Sequence, residues 1–377
     1  MARLGGRAQH AHAARALVAL VAVCPIGLLM AAEAEPQYEF GDIVVAAATA
    51  DEPRLPEAEA VRAIEHLEQG TKAWSGARTC IACHTNGTYM QIRPSLTPHF
   101  GPPAPSQREF HVAQLATFEK MDRASLQKST RPGQVIYLAA GLAEWDAHVT
   151  GTLSPETDTA LGLMLDLQLE SGTWGSLDCW PPFESDAYHE ATVAAMAVGT
   201  APGWLATTDD DARRSVGRLE TYLRETPPPH DYGRVLLLWA STRLPDLLPS
   251  GQRAELVDMI WRHQRADGGW SIRTFASPEA WGGGNRAAKL RDEPEFTDPP
   301  SDGHQTGLAV LVLHSAGVEA TDPRLQRGIA WLKANQRDSG RWWTRSLNTD
   351  SWHFITYSGT AYALAALAAT GELPRER

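Results

Sequence analysis

Three stretches of the chain share one spacing, and no other feature limits the fold as much. Gln168, Gly172 and Trp174 recur as Gln264, Gly268 and Trp270, and again as Gln336, Gly340 and Trp342. Two apolar residues stand just ahead of each Gln: Leu163 with Met164, Met259 with Ile260, and Trp331 with Leu332. These read as the last turns of amphipathic helices, each stopped by a glycine in the left-handed conformation. The following indole can then fold back over the helix end as an apolar lid carrying one donor. A pattern repeated along a chain means repeated packing, so these Gln and Trp residues are assigned to architecture. The same job explains why 13 Trp outnumber 8 Tyr and 8 Phe.

Apolar residues at helical period, bounded by caps and breakers, extend the pattern to six pairs of helices. The first members are expected near 57–70, 107–128, 154–170, 209–225, 250–265 and 322–336, and their partners near 86–92, 133–147, 187–199, 231–245, 303–316 and 356–370. Ser154-Pro155-Glu156, Asp209-Asp210-Asp211 and Asp322-Pro323 place a cap, acid or proline at a helix N-terminus. The partner helices are rich in small and apolar residues, as in Ala191–Val198 and Ala361–Ala369, and read as buried on most sides. An exposed outer helix and an apolar inner one in each of six hairpins predict an all-α chain closed into an α/α toroid, with the inner N-termini around one opening.

Arg327-Gly328, Trp331-Leu332, Gln336, Gly340 and Trp342 resemble the QW repeat of squalene-hopene cyclases and related terpenoid cyclases. The match is complete at 327–342, partial at the other two copies, and covers roughly residues 154–370. The resemblance implies the α/α barrel those enzymes share with protein prenyltransferases. It does not carry their chemistry over. The acid-rich D-x-D-D motif of the cyclases is missing, Asp209-Asp210-Asp211-Ala212 reading as a capping cluster. The prenyltransferase D-x-C zinc pattern is missing too, Asp178 and Cys179 being adjacent.

The chemistry is expected in the first hairpin. Cys80-Ile81-Ala82-Cys83-His84 is a C-x-x-C-H sequence, the attachment pattern of c-type haem. Two thiols at this spacing reach the two vinyl groups of one porphyrin, and the adjacent imidazole then falls beneath the iron. A C-x-x-C disulfide leaves His84 unexplained, and a zinc site needs a second Cys/His pair. One covalent haem c is therefore expected, held by Cys80, Cys83 and His84, with Cys179 left as a buried thiol. Met90 is too near His84 to reach the opposite face of the ring. His304, then His189, His230 and His353, are the candidates for a second iron ligand or an acid–base group, all four standing where the predicted inner helices begin. Arg93 is a candidate partner for a haem propionate, with Arg341 and Arg345 in reserve. The long connection from Ser271 to Asp302, with Trp281-Gly282-Gly283-Gly284, reads as either a lid or a disordered stretch.

Residues 1–34 read as a secretory signal. Arg3, Arg7 and Arg15 precede an apolar run, Ala16–Ala32, and Ala32-Glu33-Ala34 offers a cut before Glu35. Residues 35–377 then form the toroid domain, periplasmic or otherwise secreted, where haem ligation of this kind takes place. No later run is long enough to span a membrane. With 34 Lys plus Arg against 45 Asp plus Glu, a net charge of −11, the chain has no basic excess for a nucleic acid. The expected function is electron transfer, with a redox partner protein, or haem-based oxidation of an apolar, isoprenoid-like substrate. The alternatives are a terpenoid- or lipid-binding or cyclase-like protein without redox catalysis, and a non-catalytic scaffold.

Overall fold

Helices begin where the sequence supplies caps. Ser154 accepts from Thr157 N ahead of Pro155, Asp209 from Ala212 N, Asp302 from Gln305 N, and Asp322 from Arg324 N ahead of Pro323. A computed structural model describes residues 35–174, 180–183, 187–282 and 285–376, less the Glu295 side chain. The expected signal at 1–34 and Cys179 lie outside them. Among the described residues the chain is all-α apart from one hairpin, β1 (Tyr38–Phe40) and β2 (Ile43–Val45), paired antiparallel with Tyr38 opposite Val45.

Among the described residues, twelve of the helices fall in six consecutive pairs, and a further helix, Asn285–Asp292, lies in the connection between the fifth pair's members. The pairs are α1 (Ala60–Ala77) with α2 (Thr88–Ile92), α3 (Pro105–Phe118) with α4 (Arg131–Trp145), and α5 (Pro155–Asp166) with α6 (Ala187–Thr200). Next come α7 (Asp210–Glu225) with α8 (Asp231–Ser241), α9 (Ser250–Arg262) with α10 (Gly303–Ser315), and α11 (Pro323–Asn335) with α12 (Ile355–Ala369). The second members are buried almost throughout, whereas the first members bury one face. In α7, for instance, Ser215, Val216, Leu219 and Leu223 face in while Asp210, Asp211 and Arg214 face water. The buried members pack in chain order, α2 on α4, α4 on α6, α6 on α8, α8 on α10 and α10 on α12, and α12 packs on α2.

The Gln–Gly–Trp stretches are joints between one outer helix and another. Gly172, Gly268 and Gly340 have φ of +90°, +90° and +85°, the left-handed turn expected at a helix stop. Each also lies so close to the backbone of another outer helix, at Arg218, Arg327 and Arg62 respectively, that a Cβ would collide with it. The Gln amide donates twice, once to its own Gly carbonyl and once to that other chain segment. Gln168 Nε2 reaches Gly172 O and Ser215 O at 3.1 Å each. Gln264 Nε2 reaches Gly268 O and Arg324 O at 2.8 Å each, and Gln336 Nε2 reaches Gly340 O at 2.8 Å and Glu59 O at 3.0 Å. The indoles of Trp174, Trp270 and Trp342 fold back and donate to Met164 O, Ile260 O and Leu332 O at 2.7–2.8 Å. The third joint therefore ties α11 to the start of α1. It also holds the segment ahead of α1, through Leu55 N to Gln336 O and Arg341 Nη1 to Ala46 O.

Two segments differ from the sequence expectation. Helix α1 runs on through Gly70 to Ala77, because Gly70 makes room for the ring of Tyr357 from α12 and does not stop the helix. The helix expected over 107–128 ends at Phe118, and a fresh turn, Arg123–Leu126, starts on Asp122, whose carboxylate accepts from Ser125 N. The connection after α9 is anchored in its described parts. Trp281 and Leu290 are buried, and Arg273 pairs with Glu293 at 2.9 Å, both within the core. No helix among the described residues is long and apolar enough to cross a membrane.

Candidate cofactor site

Between α1 and α2 the chain makes a π-helical turn, Cys83–Gly87, and one side chain shapes it. Asn86 is fully buried; its Oδ1 accepts from Ala82 N at 2.7 Å and its Nδ2 donates to Cys80 O at 3.2 Å and to Ser75 Oγ at 3.3 Å. Trp74 Nε1 also donates to Cys80 O at 3.3 Å, and Thr88 Oγ1 donates to Cys83 O. The turn thereby sets Cys80, half-buried, and Cys83, buried, with His84 beside them.

Cys83 and His84 line a cavity of about 740 Å³. Aromatic rings make up part of its other walls: Trp74 from α1, Trp180 and Phe183 from the segment ahead of α6, and Trp352 and Phe354 ahead of α12. The β-hairpin closes one side through Gln37, Tyr38 and Glu39, and the exposed Arg78 stands at the end of α1. The imidazole of His84 is clamped, with Phe354 facing it at 4.4 Å between ring centroids and Trp74 edge-on at 4.9 Å. Its Nδ1 is 2.8 Å from Thr85 Oγ1, and Thr85 Oγ1 is 3.2 Å from Tyr38 OH. Burial pulls the His84 pKa down to about 4 and pushes the Tyr38 phenol up to about 12, so both are neutral at pH 7.

The volume and mostly apolar lining of this cavity are within the range of a cofactor pocket. Cofactor pockets run to about 300–1,000 Å³ with apolar walls and a few placed polar groups. With Nδ1 engaged by Thr85, His84 keeps Nε2 for a metal, and Arg78 is the cation nearest at hand for an acidic substituent. Among the described residues no three Cys, His, Asp or Glu side chains converge as a zinc set does.

The other expected site residues lie elsewhere. His304 is fully buried, with Nε2 3.1 Å from Tyr232 OH and Nδ1 2.8 Å from Ser358 Oγ, and burial draws its pKa down to about 3. Both its nitrogens serve the protein, so it presents none to an iron without breaking one of these bonds. His189 Nε2 is 3.0 Å from Tyr137 OH. Phe183, which lines the cavity, has its ring 6.3 Å from that of His189 and 5.9 Å from that of His304, and neither imidazole lines the cavity. His230 caps α8 by accepting from Gly233 N, and His353 Nδ1 accepts from Ser346 N. Arg93 is buried and donates to Gly101 O at 2.9 Å and Phe100 O at 3.2 Å, with Glu68 at 3.5 Å. It pins the turn after α2 and is not a cavity wall. Arg341 is likewise taken up by Glu52 and Ala46 O, and Arg345 by Asp350 and Glu293.

Sequence reasoning passed over Trp74, Arg78, Thr85 and Phe354. Two of them were within reach of it, since Arg78 stands just before Cys80 and Thr85 just after His84. Phe354 comes from the far end of the chain, and no local signal marks it. Compared with known proteins, the chain matches no family model and no curated protein.

Proposed function

We propose that this chain is an exported haem c protein built on a squalene-cyclase-like α/α toroid, acting in electron transfer or in haem-based oxidation of an apolar guest. The observation that carries the reading is that Cys83 and His84 of the C-x-x-C-H sequence line a partly aromatic cavity large enough for a cofactor. Ring closure is supported by the packing of α12 on α2 and by Gln336, which ties the last outer helix to the first. Export is supported by the basic, apolar and small-residue order of residues 1–34.

In this reading Cys80 and Cys83 would hold the group through thioethers, His84 Nε2 would be the protein's nitrogen ligand to iron, and Arg78 would pair with an acidic substituent. Bound haem supplies one-electron chemistry at iron. The protein's part is to hold the imidazole rigid between Phe354 and Trp74, to keep it neutral by burial, and to wall the group from water with Trp180, Trp352 and Phe183. The tied-up state of His304 speaks against a role for it as second iron ligand in this conformation.

The test is a pyridine haemochrome spectrum of protein exported from a host that matures c-type cytochromes, beside a Cys80→Ala, Cys83→Ala variant. A thioether-type band in the parent and its loss in the variant are expected. A parent without that band overturns the reading. The spin state of the loaded protein then separates the two activities: six-coordinate low-spin iron means electron transfer, and an open high-spin site means oxidation.

A further inference from the structure

We propose that Thr85 and Tyr38 are positioning residues that fix His84 as the Nδ1–H tautomer, presenting the Nε2 lone pair to the haem iron and setting its reduction potential. This rests on the haem reading above, but its core is a property of the protein alone. Thr85 is fully buried and Tyr38 nearly so, with contacts His84 Nδ1 to Thr85 Oγ1 of 2.8 Å and Thr85 Oγ1 to Tyr38 OH of 3.2 Å. A threonine hydroxyl has one proton and two lone pairs, so Thr85 either donates to His84 Nδ1 or accepts from it. If Thr85 donates to Nδ1, the proton of His84 sits on Nε2, and no lone pair is left there for a metal. If Nδ1–H donates to Thr85 Oγ1, Nε2 is open, whether the hydroxyl then donates to the phenol oxygen of Tyr38 or accepts from Tyr38 OH through its second lone pair. Only an accepting Thr85 serves a ligand held at this place.

The surroundings keep the chain from being replaced by water. The Tyr38 ring meets Tyr357 at 5.8 Å and Trp74 at 6.5 Å edge to face, and Phe354 at 5.8 Å in a tilted contact. Phe354 lies over the His84 ring itself. Turning the imidazole over to exchange its nitrogens would require moving that phenyl ring. A metal-bound imidazole that donates its second N–H becomes a stronger donor to the metal, so the hydroxyl also tunes the iron. Because Tyr38 belongs to the β-hairpin, the docking of residues 36–45 is linked to the ligand through one hydroxyl.

Two measurements test this. In the full chain carrying Cys80→Ser and Cys83→Ser, which cannot form the thioethers, nitrogen chemical shifts of His84 at neutral pH should report the Nδ1–H tautomer. Thr85→Val should remove that preference, and Thr85→Ser should restore it. In haem-loaded protein Thr85→Val should raise the reduction potential, Thr85→Ser should return it to the parent value, and Tyr38→Phe should move it in the same direction by less. An Nε2–H tautomer in the Cys80→Ser, Cys83→Ser chain overturns the proposal, as does a folded Thr85→Val protein whose potential equals the parent's. If the parent carries no haem, the function proposed above fails, yet the tautomer measurement still decides whether Thr85 positions His84. Should Thr85→Val fail to fold, Tyr38→Phe decides the potential, since it leaves the buried hydroxyl of Thr85 in place.

Discussion

At the joint of α11 with α1, every donor of the Gln336 amide and the Trp342 indole ends on a backbone carbonyl, and both side chains are wholly buried. At the turn after Cys80 the amide of Asn86 and the hydroxyl of Thr88 are engaged as well, but Cys83 and His84 line a cavity. Both regions use a tight turn, an aromatic cover and a few amide hydrogen bonds. One spends all of its bonding capacity on holding the fold, while the other sets an imidazole at the wall of a cavity. A residue that is buried with every atom engaged is architectural, and one equally well held with an atom to spare is a candidate for chemistry.

The largest effect expected from this contrast is at the joint. Trp342→Ala removes a fully buried indole together with its bond to Leu332 O, and should cost about 3–5 kcal/mol in urea unfolding. Phe354→Ala, on the cavity wall and partly exposed, should cost clearly less while loosening the His84 ring. Equal losses at the two sites would erase the distinction.

Next comes Gln336→Ala, which strands the buried Gly340 O and also removes the part-buried bonds to Glu59, and should cost about 2–3 kcal/mol, because a buried unsatisfied group carries its full desolvation penalty. Gln264→Ala, with the corresponding two donor bonds at a more exposed joint, should cost about 1 kcal/mol. Arg93→Ala belongs with Gln336. It should destabilise by about 2 kcal/mol through the loss of Gly101 O and Phe100 O and leave a haem spectrum unaltered.

The joints were legible in the sequence because Gln, Gly and Trp act on their own neighbourhood. A left-handed glycine and a fold-back indole are local events, and their spacing repeats. The twelve helices were legible for the same reason, since cap and period are written within one element. What was not legible is pairing across the core. His304 looks like His189 or His230 along the chain, and its engagement by Tyr232, 72 positions away, depends on α8 packing against α10. Gly70 looked like a helix end until Tyr357 of α12 arrived beside it. Arg93 had the right distance from Cys83 for a propionate, yet the carbonyls that claim it belong to Phe100 and Gly101, a turn whose direction no periodicity gives.

Titration sharpens the comparison of His304 with His84. Both have folded-state pKa values, about 3 and about 4, below the ordinary 6.5. The unfolded chain takes up a proton below pH 6.5 and the folded chain does not, so stability is whole above pH 6.5 and falls as pH drops towards 4. Each imidazole contributes about 1.4 kcal/mol per pH unit to that fall. In chain without haem, His84→Gln should flatten the slope of stability against pH by about one proton and change neutral-pH stability little. His304→Gln should remove a proton's worth of slope too, but should also cost about 1–3 kcal/mol at pH 7 by disturbing Tyr232 and Ser358. Denaturant titrations from pH 4 to 7 read both numbers.

The smallest effect is at Arg78. Its guanidinium is exposed and lies 5.8 Å from the Trp74 ring, so Arg78→Gln should leave stability within about 0.5 kcal/mol of the parent. Its consequence appears only when a carboxylate is brought to the cavity. If the Cys80→Ala, Cys83→Ala chain, which cannot form the thioethers, takes up haem as the proposed function expects, adding Arg78→Gln should weaken that binding by no more than about fivefold, because an exposed ion pair is worth about 0.2–1 kcal/mol. An absorbance titration of haem into the two chains measures the ratio. A loss much greater than this would mean that Arg78 becomes buried on binding and that the hairpin closes over it. No loss at all would hand the acidic edge of the ligand to the polar side chains opposite, Asn348 and Ser346.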